Sequence, residues 1–368
     1  DIKNKDEYLT ESNQDDIAMI LHTSGTTSRP KMVPLSQKNL LASASNIANT
    51  LNLNEKDKCL NIMPMFHIHG LIAAILAPIY KSGTIITPSG FDALKFFRWI
   101  DEFKPTWYTA VPTMHQAILS RAPRNIDIIK NNQLKFIRSS SASLPSIVMK
   151  SLEKAFNTCV IESYGMTEAT HQMTSNPLPP NKRKAGSVGL AAGPEVALLL
   201  DDKILHNIKE NQNITGQIII KGENVTEGYI NNPKANSESY KDGWFLTGDE
   251  GMFDNDGYLK ITGRLKEIIN RGGEKISPKE IDEILMEHKS IQQAVAFSVP
   301  HEKLGEDLYA AVIIKENEKI SENNLKEYCQ QRLTQFKIPR KILIVKEIPK
   351  GATGKLQRIG LYKKLGIK

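Results

Sequence analysis

Residues 21–31, LHTSGTTSRPK, decide how the rest of the chain is read. They follow a short apolar run, Ile17 to Leu21, which reads as a buried strand, and precede a helix-like segment beginning near Leu35. Gly25 supplies conformational freedom where the backbone must approach a bulky anion. Thr23, Ser24, Thr26 and Thr27 offer hydroxyl and amide donors, and Lys31 a mobile positive charge. That is the chemistry of a polyphosphate cradle. The Walker pattern ends in Gly-Lys-Ser/Thr, which this stretch does not, so an ordinary kinase or GTPase loop is not indicated. Taken alone, the same residues also fit a solvated turn, and the decision rests on what lies downstream.

Outward from the loop, strand and helix signals alternate. Residues 39–50 are helix-like, and 59–64 form a short apolar segment running into FHIHG at 66–70. A helix is predicted through Ile79, a strand at 84–87, and helical spacing of large apolar residues over 91–103. TWYTAVP at 106–112 reads as a buried strand ended by proline. KFIRSSSASL (135–144), residues 145–156 and CVIESYGMTE (159–168) repeat the pattern, which argues for an α/β domain with parallel pairing. After Asn176 short β-rich segments, 196–200, 216–220 and 258–262, predict an antiparallel or barrel-like section.

The last hundred residues or so read as a separate small α+β unit, a size ordinary for a domain. Ser277-Pro278-Lys279-Glu280 carries the signature of a capping box, after which Ile281, Ile284, Leu285 and His288 repeat on one face. Strands are predicted at 294–299, 309–314 and 342–345, with a helix over 321–333. Charges and a glycine interrupt the β pattern at GRLKE, 263–267, which places the expected domains at 1–265 and 266–368.

With 368 residues, 40% hydrophobic and 24% charged, the chain has ordinary globular composition. The longest nearly apolar run, 70–80, is too short to span a bilayer, so a soluble, cytoplasmic protein without a membrane span is expected. Cys59, Cys159 and Cys329 lie far apart and point to neither a disulfide framework nor a zinc site. The net charge of +7 favours anionic ligands and makes only a weak case for nucleic acid, so small molecules are the expected partners. The chain reaches its cradle almost at once, and an N-terminal portion is expected to be missing.

Four further stretches matter together: YGMTE at 164–168, TGD at 247–249, GRLKEIINRGGEKISP at 263–278 and PKGATGKLQR at 349–358. Each alone has a bland reading as core, cap, turn or solvated charge. Their order and spacing with the loop resemble the adenylate-forming superfamily of acyl-CoA synthetases, peptide-synthetase adenylation domains and luciferases. The resemblance runs over nearly the whole chain. It implies a large N-terminal domain of α/β sheets with a β-rich subdomain, here without its first subdomain, and a small mobile C-terminal domain. It also implies an AMP-forming acid–thiol ligase using ATP, Mg²⁺ and coenzyme A.

Carried over by position, the resemblance makes Thr23, Ser24, Gly25, Thr26, Thr27 and Lys31 the holder of the β- and γ-phosphates. Tyr164, followed by Gly165, would stack on adenine beside the Ser141-Ala142-Ser143 backbone. Thr167 would contact the α-phosphate and Glu168 would ligate Mg²⁺. Asp249 and Arg264 would bind the ribose hydroxyls, and Lys355 would bridge carboxylate and α-phosphate. Lys266 matches the hinge, and Gly272 and Gly273 would leave room for the thiol of coenzyme A.

For the acid, His69, Ser141 and His171 are the expected pocket wall, with Phe66 closing it beside His69, whereas His22 reads as structural. Two histidines and a serine suit a second carboxylate on a short substrate. The strings HTSGTTSRPK, WYTAVPTMHQ, SSSASL, MTEATHQMTSNPLPP and INRGGEKISPKEID also look like the oxalate–CoA ligase branch found in plants and fungi. Another short or medium-chain carboxylic acid, and a nucleotide-binding homologue without turnover, remain open alternatives. The chain ends LGIK, without a Ser-Lys-Leu type peroxisomal address.

Overall fold

The computed structural model describes residues 12–23, 30–206, 214–350 and 356–367. Its centre is a seven-stranded sheet. Five strands run parallel in the order Thr84–Ile86, Lys58–Asn61, Trp107–Ala110, Phe136–Ser139, Val160–Met166, and His171–Ser175 and Leu190–Ala191 continue it antiparallel. Because side chains alternate along a strand, neighbouring residues serve opposite faces. Tyr108, Ile137 and Val160 join a core with Phe96, Phe97, Leu152 and Phe156 from the helices Phe96–Phe103 and Ser146–Phe156. Trp107, Phe136 and Ile161 join a second core with Ile47, Ala48 and Ile72, from the helix Gln37–Thr50 and the π-helical turn His69–Leu76. Both faces are covered, which is why these strands read as continuous apolar runs.

A six-stranded antiparallel sheet follows, built on Glu195–Leu200, Thr215–Lys221, Trp244–Phe253 and Leu259–Arg264. It is open among the described residues, so the antiparallel expectation holds and the barrel-like alternative does not. A five-stranded sheet then begins at Ile269, with Ile291–His301 and Gly305–Ile314 paired antiparallel and Lys341–Ile344 added in parallel. Its helices are Pro278–Glu287 and Glu322–Gln330. Gln116 Nε2 donates to the Gln292 carbonyl at 3.2 Å and Gln293 Nε2 to Gln116 Oε1 at 2.9 Å, joining this unit to the helix Pro112–Leu119. No helix among the described residues is long and apolar enough to cross a membrane.

Three local expectations are corrected. The strand Ile17–His22 is not buried: among the described residues it pairs only with Met32–Ser36, in a two-stranded antiparallel sheet, and Ile17 and Ile20 are about half exposed. His22 is likewise exposed and supports no core. The Ser277 box is not made either. Ser277 Oγ donates to the Thr262 carbonyl instead, and Glu280 pairs with Lys337 at 2.7 Å, so tertiary partners outcompete the local cap. A capping box does form at Ser36, where Asn39 takes the place that Glu or Gln holds in the usual signature.

Candidate active site

The neck of the Thr23–Lys31 loop is closed by Thr23 N donating to the Lys31 carbonyl at 3.0 Å. Ser24, Gly25, Thr26 and Thr27 lie outside the described residues, as does Lys355. From the neck, Lys31 Nζ reaches over the ring of Tyr229, 4.2 Å from its centroid, and the Tyr229 hydroxyl donates to Glu168 Oε1 at 2.8 Å. Burial holds the Lys31 ammonium below its ordinary pKa; Lys266 adds to the effect and Glu168 opposes it. Lys31, Lys266, Tyr229 and Glu168 thus share one electrostatic neighbourhood. Lys266, expected at a hinge, sits in the short 3-10 turn Leu265–Glu267 just before the five-stranded sheet.

Glu168 and its neighbour Thr167 begin a single 3-10 turn at the end of the strand Val160–Met166. The chain doubles back there so tightly that Thr170 and His171 take φ of 49° and 97°. Gly165 makes this possible, since a Cβ there would lie 1.8 Å from the His171 carbonyl oxygen. The turn is held from outside by Asn224, whose amide donates to the Ala169 and Gln172 carbonyls at 2.8 and 3.0 Å.

Asp249 lies within the strand Trp244–Phe253, directly across from Arg264. Arg264 Nε donates to Asp249 Oδ1 at 2.6 Å, and the Tyr164 hydroxyl donates to Asp249 Oδ2 at 2.5 Å. The carboxylate raises the Arg264 pKa, while burial and then Asp249 push the Tyr164 phenol well up. Tyr164 is packed among apolar residues with 9% of its surface exposed. Gly272 and Gly273 form the two-residue turn between Ile269–Arg271 and Glu274–Ile276, with φ of 61° and 98°. Hairpin geometry alone therefore accounts for glycine at both positions.

The residues expected to wall an acid pocket, His69, Ser141 and His171, lie together. The rings of His69 and His171 stack with centroids 4.9 Å apart, and His69 Nδ1 is 3.0 Å from Ser141 Oγ. Ser141 is half-buried with φ of 73°, and Ala142 and Ser143 beside it are exposed. Phe66 is 64% exposed and closes nothing in this structure, contrary to expectation: FHIH puts His69 and Phe66 three residues apart across an irregular turn, and only the histidine faces inward.

Behind the two rings lies a residue the sequence reading passed over. Arg138 is fully buried; its Nη1 is 3.3 Å from His69 Nε2, and its Nη2 is 3.1 Å from His171 Nε2 and 3.2 Å from Gln172 Oε1. Burial pushes its pKa down to about 9. The available signal was a lone charge in an otherwise apolar strand, KFIRS. Tyr229 and Asn224, also missed, stand in the turn-like GENVTEGY and carried no such signal.

A family model for AMP-binding enzymes matches residues 2–230, and one for the AMP-binding enzyme C-terminal domain matches residues 280–355. The chain belongs to the AMP-binding enzyme family. Among members of that family, an oxalate–CoA ligase of Arabidopsis thaliana is 47% identical over 94% of this chain and 67% of the relative. An oxalate–CoA ligase of Saccharomyces cerevisiae is 46% identical over 93% of this chain and 62% of the relative. The chain thus spans about two thirds or less of the length of these family members. Of solved structures, ATP-bound MatB from Rhodopseudomonas palustris superposes with a TM-score of 0.88 at 29% identity, over 97% of this chain and 70% of that one. A MenE o-succinylbenzoate–CoA synthetase from Bacillus subtilis, in complex with ATP and magnesium ion, gives 0.82 at 29%, over 95% and 70%. The family's adenylate-forming architecture of mixed α/β sheets is therefore the fold of this chain.

Proposed function

We propose that this chain carries the active site of an ATP-dependent, AMP-forming carboxylate–CoA ligase whose acid is oxalate, giving oxalyl-CoA, AMP and diphosphate. The observation that carries the reading is the pocket of His69, Ser141 and His171 backed by the buried Arg138, a donor-rich and positively charged wall suited to a short dianion. The names of the two oxalate–CoA ligase relatives point the same way.

A carboxylate is a poor electrophile, and attack by its oxygen on the α-phosphorus of ATP forms a mixed anhydride and releases diphosphate. A thiol then attacks the acyl carbonyl and expels AMP. In this reading Thr23 to Thr27 and Lys31 hold the β- and γ-phosphates, and Thr167 the α-phosphate. Tyr164 supports the adenine, and the Asp249–Arg264 pair receives the ribose diol. Glu168 is a single buried carboxylate anchored through Oε1, with no cluster of three acidic or histidine ligands around it among the described residues. That donor set fits Mg²⁺ carried mainly by nucleotide phosphates and water, and Glu168 would hold the ion, whose charge offsets that of the triphosphate. Lys355 would neutralise charge gathering at the α-phosphate, while rotation about Lys266 in a domain division of 1–265 and 266–368 would admit coenzyme A past Gly272 and Gly273.

Diphosphate release with a panel of acids tests the assignment. Oxalate as the preferred acid supports it, turnover only with monocarboxylates replaces the acid, and nucleotide binding without release removes the activity. In the same assay Lys355→Ala is expected to lose about 10²–10³-fold in adenylation rate, the usual effect of deleting one strong transition-state contact.

A further inference from the structure

We propose that Arg138 is a positioning residue that fixes His69 and His171 as their Nδ1–H tautomers, so that the wall presents only donors to a dianionic acid. The tautomer part stands on geometry alone, whereas the dianion part rests on the reading above.

A guanidinium has five N–H groups and no acceptor, so a ring nitrogen in hydrogen-bond contact with it must be the unprotonated one. Arg138 meets Nε2 of both rings, at 3.3 Å on His69 and 3.1 Å on His171. Each imidazole therefore carries its proton on Nδ1. On His69 that proton points to Ser141 Oγ at 3.0 Å, which leaves the serine's own hydroxyl hydrogen to donate outward. Thr109 Oγ1 lies 2.6 Å from His69 Nε2 and 3.5 Å from Arg138 Nη1, so its hydroxyl runs in the same sense, from arginine toward ring. Gln172 stops the guanidinium from turning. Its Oε1 accepts from Nη2, and its Nε2 is tied to Thr50 Oγ1 at 3.2 Å and the Ala192 carbonyl at 3.1 Å.

The charge itself has no carboxylate partner among the described residues, and Arg138 Nε is buried with none at all. A desolvated cation left in that condition is costly, and an anion held at the Ser141 end lowers the cost. Aligned donors transmit this field to the mouth of the pocket, where Ser141 is reachable from solvent.

The first test needs no substitution in the arginine. Long-range proton–nitrogen spectra of the full chain labelled in histidine nitrogen, with signals assigned through His69→Asn and His171→Asn, should show both rings protonated at Nδ1; an Nε2–H form of either ring overturns the proposal. The second uses Arg138→Lys and Arg138→Gln, retained only if they bind ATP as the parent does. Oxalate KM is expected to rise by about 10²-fold with ATP KM within about twofold. Oxalate KM within twofold of the parent in a variant that binds ATP overturns the role in acid recognition. If the parent chain ignores oxalate but releases diphosphate with another acid, the oxalate assignment fails, while the spectra still decide the tautomers without any substrate.

Discussion

Among the described residues Arg138 is fully buried and Arg358 has 16% of its side chain exposed, and their surroundings differ in kind. Arg358, in the C-terminal unit, meets Glu267 Oε2 at 3.0 Å, Asp282 Oδ2 at 2.7 Å and the Ala296 carbonyl. Burial acts to lower its pKa, yet Asp282 and Glu267 more than reverse the effect. Arg138, in the parallel sheet, meets two imidazoles, a hydroxyl and an amide but no carboxylate among the described residues, and its pKa is down at about 9. Both are largely withdrawn from water, so low exposure cannot by itself tell a structural charge from one held ready for a ligand. The inventory of partners does, because a charge whose counter-ion is part of the fold has no electrostatic reason to attract another.

The contrast can be broken most severely at Arg358. Arg358→Met strands Asp282 and Glu267, and urea unfolding should show a loss of about 3–5 kcal/mol; a loss under about 1 kcal/mol would make the two sites alike. Next comes a buried acid that, like Arg138, faces no direct counter-ion. Glu162 accepts from Leu144 N at 2.8 Å through Oε1, its Oε2 is unpartnered, and burial lifts its pKa to about 7. A raised carboxylate means that the folded state holds the proton more tightly, so its contribution is intact below about pH 4.5 and is lost as pH climbs through 7. Glu162→Gln should be more stable than the parent by about 2–3 kcal/mol at pH 8 and equal to it near pH 4, measured by unfolding at both values.

Arg264 stands between the two extremes, since its carboxylate, Asp249, is shared with Tyr164 and its own side chain is 49% exposed. Asp249→Asn is expected to raise ATP KM by about tenfold with little change in oxalate KM, and an equal effect on both would deny the pair its separate place. The smallest stability effect belongs to Arg138→Met. Removing a desolvated charge offsets the lost hydrogen bonds, so unfolding free energy should stay within about 1 kcal/mol of the parent. A collapse comparable to Arg358→Met would remove the distinction between the two arginines.

Much of the architecture could be read from the chain because both cores are local in pattern: apolar runs such as WYTA and KFI, separated by amphipathic helices, leave few alternatives to a covered parallel sheet. The candidate site was legible where residues stand in compact strings, as in YGMTE and FHIHG. Phe66 and Ser277 were misjudged for one reason. Local spacing says which contacts a residue could make with its neighbours, whereas Thr262 and the shape of the 64–70 turn lie outside that horizon. Tyr229 was invisible because its partners, Lys31 and Glu168, are far away in the chain.

The amino-acid order by itself determined the element types, the alternation of the sheet and the order of the candidate-site strings, because propensity and periodicity act over a few residues. Only the folded chain decided that Arg138 would lie behind His69 and His171, 69 and 33 positions away from it in sequence. Hydrogen-bond direction, tautomer and the missing counter-ion arise from groups that meet only once the strands have paired, and no pattern along the chain encodes them.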